Sequence, residues 1–263
     1  MSDNSSDLLT FGGHLDVLRK LLIRVVTVVS VLSAVVFIFK DFTFKLLLAP
    51  GQWDFITYRM ISHAMGYLGF DIAFGEFHVN LIATDLSSQF MTHIATSLYL
   101  GLLFASPFIV FELYRFVAPA LLDNERRYSV PIVLTVYLLF AIGVLMSYFI
   151  LFPISFRFLG TYSVAPDVVS MITLDSYIST FVTLTLLMGL VFQLPVLAYI
   201  LARLGFIRSG FMKAYRRHAL IIILFLAAVI TPPDVMTLLL VAMPLYLLYE
   251  ISIHVVRRLE KSL

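Results

Sequence analysis

The chain has 263 residues, 61% of them hydrophobic and 13% charged, with a mean hydropathy of +1.00 and a formal net charge of +2. Soluble domains are near half apolar and about a quarter charged, so this composition excludes a water-soluble globule and indicates a polytopic helical membrane protein. The chain holds no cysteine, which excludes disulfides, thiol chemistry and Cys-ligated metals.

Residues 1–20 are polar and end in basic residues, without the apolar core and small-residue cleavage site of a secretory signal. The first span is therefore expected to remain in the mature protein. Within this lead-in, His14 and Leu18 share a helix face at i, i+4, while Asp16, Arg19 and Lys20 are polar. Two readings stand: an amphipathic helix lying in the membrane interface, or half of a docking site.

Six apolar segments follow, at about residues 21–39, 90–111, 129–151, 177–201, 218–230 and 235–256. A helix needs about 20 residues to cross a hydrocarbon core of about 30 Å. The fifth segment stops at Thr231-Pro232-Pro233 after about a dozen apolar residues, which reach only about 18–20 Å. The proline pair ends that helix, and Asp234 is placed to cap the next one. The stretch 40–86 holds the single tryptophan, Trp53, and many turn residues; its part from Gly51 to His78 has no assigned role.

Fourteen Lys and Arg residues flank the segments on one side: Arg19, Lys20, Arg24, Arg115, Arg126, Arg127, Arg203, Arg208, Lys213, Arg216, Arg217, Arg257, Arg258 and Lys261. Only Lys40, Lys45, Arg59 and Arg157 lie on the other. The positive-inside rule then places both termini in the cytoplasm, consistent with six spans. No internal repeat is evident, against an inverted-repeat transporter.

Between the second and third segments lies Ser106–Tyr128, an aromatic stretch broken at Val117-Ala118-Pro119 and carrying Glu125, Arg126 and Arg127. Glu125 either accepts hydrogen bonds from a docked arginine or favours the N-terminal end of the next helix, capped by Asp123 or Asn124. In the fourth segment, Gln193 precedes Pro195. Its amide either satisfies a carbonyl freed by the proline or supplies an interhelical hydrogen bond. Glu112, Glu250 and His254 also sit in or beside apolar runs and are functional candidates on that ground. The six histidines are scattered, and no nucleophile elbow, phosphate loop or zinc-binding His pair occurs. An enzyme, a cofactor and a metal site are accordingly not expected.

Four blocks, in this order, carry a resemblance: His14-Leu15-x-x-Leu18-Arg19; Phe116-Val-Ala-Pro119-Ala-Leu with Asn124-Glu125-Arg126-Arg127; Gly189-Leu-Val-Phe192-x-Leu-Pro195-Val; and Thr231-Pro232-Pro233-Asp234-Val235 followed by Pro244-Leu-Tyr-Leu-Leu-Tyr-Glu250-Ile. Ala49-Pro50 and Phe152-Pro153 add to it. From His14 to about Arg258 the chain resembles the C subunit of the twin-arginine protein translocase, the TatC family.

The resemblance implies an all-α fold: one domain over residues 1–263, six transmembrane helices with the fifth and sixth short, in a concave, glove-like bundle, with residues 1–20 as a cytoplasmic lead-in. It implies a non-enzymatic receptor and translocase core in a bacterial inner membrane. Such a receptor binds twin-arginine signal peptides of folded cargo on the cytoplasmic face. With single-span TatA/TatB-type subunits it moves the cargo across using the proton-motive force, as an oligomer, without cofactor or nucleic acid. By position, Phe116 and Glu125 would form the signal-peptide site with Asp16 and Arg19. Gln193, Pro195, Thr231, Pro232, Pro233 and Asp234 would contact partner helices, and Pro50 and Pro119 would be structural.

The sequence departs from the family pattern at two of these positions. Where relatives often carry glutamate in the lead-in, the chain has Val17, with Asp16 one place earlier. One residue is a rotation of about 100° on a helix; Asp16 is expected to substitute, or a backbone carbonyl to serve. Gln193 stands where the family commonly has an intramembrane glutamate, so any partner contact there would be a neutral hydrogen bond. The alternative function is a secondary transporter of a small solute coupled through Glu112 and Glu250.

Overall fold

The computed structural model describes residues 11–67, 77, 79–117, 129–163, 165, 170–231 and 234–261. They are mostly helical. In chain order the elements are α1 (Phe11–Ile38), α2 (Lys40–Leu48), α3 (Ile56–Tyr67), β1 (Leu81–Ile82), α4 (Ser88–Val117), α5 (Ser129–Met146), α6 (Phe152–Thr161), β2 (Ile172–Thr173), α7 (Leu174–Val191), α8 (Leu194–Arg203), α9 (Ser209–Ala214), α10 (Arg216–Ile230) and α11 (Val235–Glu260). β1 and β2 pair in parallel, Leu81 beside Ile172 and Ile82 beside Thr173. By contacts the chain divides into two compact units: residues 1–38 with 97–137, and residues 39–96 with 138–263.

Five stretches among the described residues are long and apolar enough to cross a membrane: Leu15–Ile38, Ser88–Glu112, Val133–Thr161, Leu174–Arg203 and Val235–Glu260. In the first, only 17% of the apolar window is buried within the chain, so its remaining surface suits lipid rather than protein. α1 is rich in β-branched residues, as in Val25-Val26-Thr27-Val28-Val29. Such residues lose side-chain freedom in helices. Lipid offers the backbone no hydrogen-bonding partner, however, and that forces the helix.

Several elements differ from the sequence reading. The lead-in is not a separate helix, because α1 runs unbroken from Phe11 to Ile38. The third segment does not stop at Leu151: a wider π-type turn, Ser147–Leu151, carries it into α6, which ends at Thr161. The fourth is two helices, α7 and α8, broken at Phe192-Gln193. α10 has 15 residues and is short, as expected. The sixth helix is not short. α11 has 26 residues, because the apolar run 235–256 is itself long enough to span and Arg257 to Glu260 extend it.

The second unit is organised around proline breaks. Pro153 has no N–H for the Phe149 carbonyl four residues back, and the Thr57 hydroxyl on α3 donates to that carbonyl instead. The last carbonyls of α2 lack helical partners. Leu46 O accepts from the Tyr148 hydroxyl at 2.8 Å and Leu47 O from the Tyr177 hydroxyl at 2.9 Å. The Tyr58 hydroxyl reaches Pro153 O at 2.7 Å and Pro50 O at 3.2 Å, so the two proline pairs noted in the sequence meet at one side chain. Burial pushes the Tyr58 phenol well above its ordinary pKa, keeping it a donor. Around these bonds Phe152 packs edge to face on Tyr177 and Phe181, and Phe156 on Tyr177, with ring centroids 4.8–5.0 Å apart. The Arg157 guanidinium lies 5.3 Å from the Tyr58 ring centre and 4.8 Å from that of Phe77.

α8 ends in a left-handed glycine, Gly205, at φ 80°. The Phe206 N–H bonds Leu201 O and the Gly205 N–H bonds Ala202 O, satisfying the exposed carbonyls of the last turn. Asp234 caps α11 as expected: its side chain accepts from Thr237 N at 2.6 Å.

In the first unit α1 and α4 approach closely at Gly101, where an added Cβ would sit 2.1 Å from Ser33 Oγ and 2.7 Å from Ser33 N. Gly101→Ala must therefore displace backbone, at a cost of about 1–3 kcal/mol. The expected result is a lower melting temperature in detergent, with Gly210→Ala, which meets nothing within 4 Å, melting like the parent. Equal melting of Gly101→Ala and parent would refute the close α1–α4 packing.

Candidate functional site

The first unit gathers charge at the end of α1 and α4 where α1 begins. Val17, Lys20, Leu21 and Arg24 follow at helical spacing on α1; Glu112 and Arg115 lie a turn apart near the end of α4. Together they line a hollow of about 230 Å³. Glu112 is only 4% exposed. Arg24 Nη1 donates to its Oε2 at 3.1 Å and its Oε1 at 3.4 Å, and Arg115 Nη1 stands 3.9 Å from Oε1. A buried carboxylate without such partners would be costly; here one guanidinium bridges both oxygens and joins the two helices.

Asp16 and Arg19 lie exposed on the first turns of α1. Asp16 is not among the residues lining the hollow, whereas Val17 is. Phe116 falls in the last turn of α4, and its side chain lies outside what is described. Glu125 and Pro119 lie outside the described residues.

The second unit holds the other predicted positions. Gln193 is half-buried at the α7–α8 break, and its Nε2 donates to Gly189 O at a long 3.4 Å. Pro195 is buried in the first turn of α8. Thr231 is buried at the end of α10, and its hydroxyl donates to Ala227 O at 2.9 Å. Pro232 and Pro233 lie outside the described residues. On α11, Glu250 accepts from Arg216 Nη2 at 2.8 Å and from the Tyr246 hydroxyl at 3.3 Å. His254 Nδ1 lies 2.8 Å from Glu250 O. Among the described residues no group of His, Asp and Glu is arranged to hold a metal ion.

The family model for the Sec-independent protein translocase protein (TatC) matches residues 13–244. The chain belongs to the TatC family. Relatives described as Sec-independent protein translocase protein TatC include one from Blattabacterium, 33% identical over 96% of each chain. One from Carboxydothermus hydrogenoformans is 33% identical over 95% of this chain and 93% of its own. Another, from Deinococcus radiodurans, is 36% identical over 91% and 83%. A crystal structure described as the twin arginine translocase receptor TatC superposes with a TM-score of 0.71 at 31% identity, covering 93% of this chain and 98% of its own. The same receptor in the detergent DDM gives a TM-score of 0.72. The chain is thus a multi-pass membrane component of a Sec-independent protein translocase.

Within this TatC-family chain, the Arg24–Glu112 pair is the feature that sequence reasoning missed. Arg24 entered only as one of the topology-setting cations, and Glu112 only as an ionisable group beside an apolar run and a coupling group of the alternative transporter. The usable signal was one charge near the expected cytoplasmic edge of each of two apolar segments, Arg24 just inside the first and Glu112 just past the second, with opposite signs. Glu112→Leu leaves Arg24 without its partner and is expected to cost about 1–3 kcal/mol. The double change Arg24→Leu with Glu112→Leu should recover part of that loss. A double-mutant cycle on detergent melting reads the coupling, and strictly additive losses would refute the pair.

Proposed function

We propose that this chain is the receptor and core subunit of a twin-arginine translocation complex. It binds Arg-Arg signal peptides of folded proteins at the cytoplasmic face and, with single-span TatA/TatB-type subunits, moves them across a bacterial inner membrane using the proton-motive force. In this reading the chain acts as one domain of six spans with cytoplasmic termini, the short α10 counting as the fifth. The observation that carries it is the likeness, over 93% of the chain, to a solved structure described as the twin-arginine translocase receptor.

The physical logic supports it. An arginine pair needs carboxylate acceptors at an accessible rim, because guanidinium forks onto carboxylate and lysine mimics it poorly. Glu112 is already bridged by Arg24, so the proposed acceptors are the carboxylates of Glu125 and Asp16, with Phe116 as the third position carried over from the family motif. The solute-transporter alternative fares worse, since Glu112 and Glu250 each hold an arginine at 3.1 Å or less. Gln193 and Pro195 at the α7–α8 break, with Thr231 and Asp234 between α10 and α11, form the proposed partner-helix surface.

The deciding experiment is photocrosslinking from position Phe116 to an Arg-Arg signal peptide with a Lys-Lys peptide as control. Labelling by the Arg-Arg peptide alone is expected, and Glu125→Ala should abolish it while the protein stays folded and inserted. Equal labelling by the two peptides, or labelling unchanged in Glu125→Ala, would overturn the site. Gln193→Leu is expected to weaken copurification of the single-span subunits; full copurification and transport would reduce Gln193 to a satisfied span residue.

A further inference from the structure

The hollow between α1 and α4 is unsuited to an arginine-bearing ligand and suited to the opposite charge. Lys20, Arg24 and Arg115 line it against a single carboxylate, Glu112, an excess of two positive charges. Glu112 contributes little to a ligand, being 4% exposed and bridged. The cations remain open: the side chains of Arg24 and Arg115 are 46% and 65% exposed even with Glu112 between them. Both described bonds from Arg24 to Glu112 use Nη1 alone, and a guanidinium carries five donors.

The depth of this cluster says what kind of anion reaches it. From Val25 to Phe39 there are 15 residues without a charge, about 22 Å of helix. On α4 no Asp, Glu, Lys or Arg occurs from Ser88 to Phe111. Arg24 and Glu112 therefore mark one edge of the hydrocarbon, with Arg24 slightly inside it, where its head must snorkel towards the phosphate layer. Continuing the same helix faces into the membrane, Val31 on α1 is 57% exposed, and Phe104 and Phe111 on α4 are 53% and 52% exposed. Cations at the rim with uncovered apolar side chains one or two turns deeper match an amphiphile: phosphate on the guanidinium and ammonium groups, acyl chains along the helices.

We propose that Lys20, Arg24 and Arg115 form a binding site for the phosphate headgroup of an anionic phospholipid, seated between α1 and α4. Basic pockets between membrane helices hold such headgroups through charge that a zwitterionic lipid does not match. The site is separate from the signal-peptide site of the preceding reading and stands on the geometry of the first unit alone.

The test uses the full-length protein in a neutral maltoside detergent, titrated with phosphatidylglycerol or phosphatidylcholine and read by native mass spectrometry. Phosphatidylglycerol should bind at least about tenfold more tightly than phosphatidylcholine. The double variant Lys20→Gln, Arg115→Gln should lose about tenfold in phosphatidylglycerol affinity with phosphatidylcholine binding unchanged. The charge-conserving variant Lys20→Arg, Arg115→Lys should retain the preference, which separates loss of charge from loss of fold. Equal affinity for the two lipids, or an unchanged preference in the neutral double variant, would overturn the site. Displacement of phosphatidylglycerol by millimolar inorganic phosphate would overturn the lipid assignment in favour of a soluble anion. Because no signal peptide is present, failure here leaves the receptor reading untouched, and failure of the Phe116 crosslink leaves this one.

Discussion

Inside a bilayer no backbone carbonyl can turn to water, and each one left unbonded costs several kcal/mol. Yet the chain places prolines at 107, 153, 195 and 244 inside or at the start of membrane-crossing helices, and Pro50 just after α2. Each such break demands a substitute donor from elsewhere in the chain. In the second unit hydroxyls answer two of them, Thr57 at Phe149 O and Tyr148 at Leu46 O, while Tyr177 and Tyr58 add bonds to Leu47 O, Pro50 O and Pro153 O. These donors come from α3, α7 and the turn before α6. The bonds therefore do more than satisfy orphans: they tie the loop helices to the spans, and the aromatic rings that carry the hydroxyls form the core at that end.

The first unit solves a different problem. α1 and α4 have few buried polar contacts and large exposed apolar surfaces. Their association rests on close backbone approach at Gly101 and Ser33 and on one bridged ion pair, Arg24–Glu112. A charge pair at the hydrocarbon edge avoids the full desolvation cost of a mid-membrane pair while fixing how far one helix slides past the other. That registration brings the start of α1, with Asp16 and Arg19, to the end of the unit where α4 finishes at Phe116 and Val117. The same pair leaves an excess of positive charge at the rim, which gives this end of the unit an affinity for anions as well as its proposed role beside a cationic signal.

Much of this was legible in the sequence. Span positions followed from apolar run length, the short fifth helix from Thr231-Pro232-Pro233, and the Asp234 cap from residue type at a helix start. The family followed from four motifs in order. The misreadings share a cause. The third and sixth helices were ended where hydropathy fell, at Leu151 and Val256, whereas a helix leaving the membrane persists as long as its backbone bonds are cheaper than solvation; the expectation of a short sixth helix came from the resemblance instead. Arg157 illustrates the point: counted in the sequence only as a cation on the less basic side, it belongs to α6 and lies against the Tyr58 and Phe77 rings.

The primary sequence suffices to make this a helical membrane protein of the TatC family, because hydropathy, proline placement and motif order are local properties written along the chain. It also determined that Asp16 and Val17 cannot point the same way, since helical rotation fixes that. Tertiary structure alone decided that Val17, not Asp16, faces the hollow beside Glu112, and that Glu112 is consumed by Arg24, 88 positions away. It alone decided which hydroxyl answers which orphaned carbonyl. Such pairings join groups remote in sequence, and their stability comes from the low dielectric of the assembled interior, which does not exist until the helices have packed.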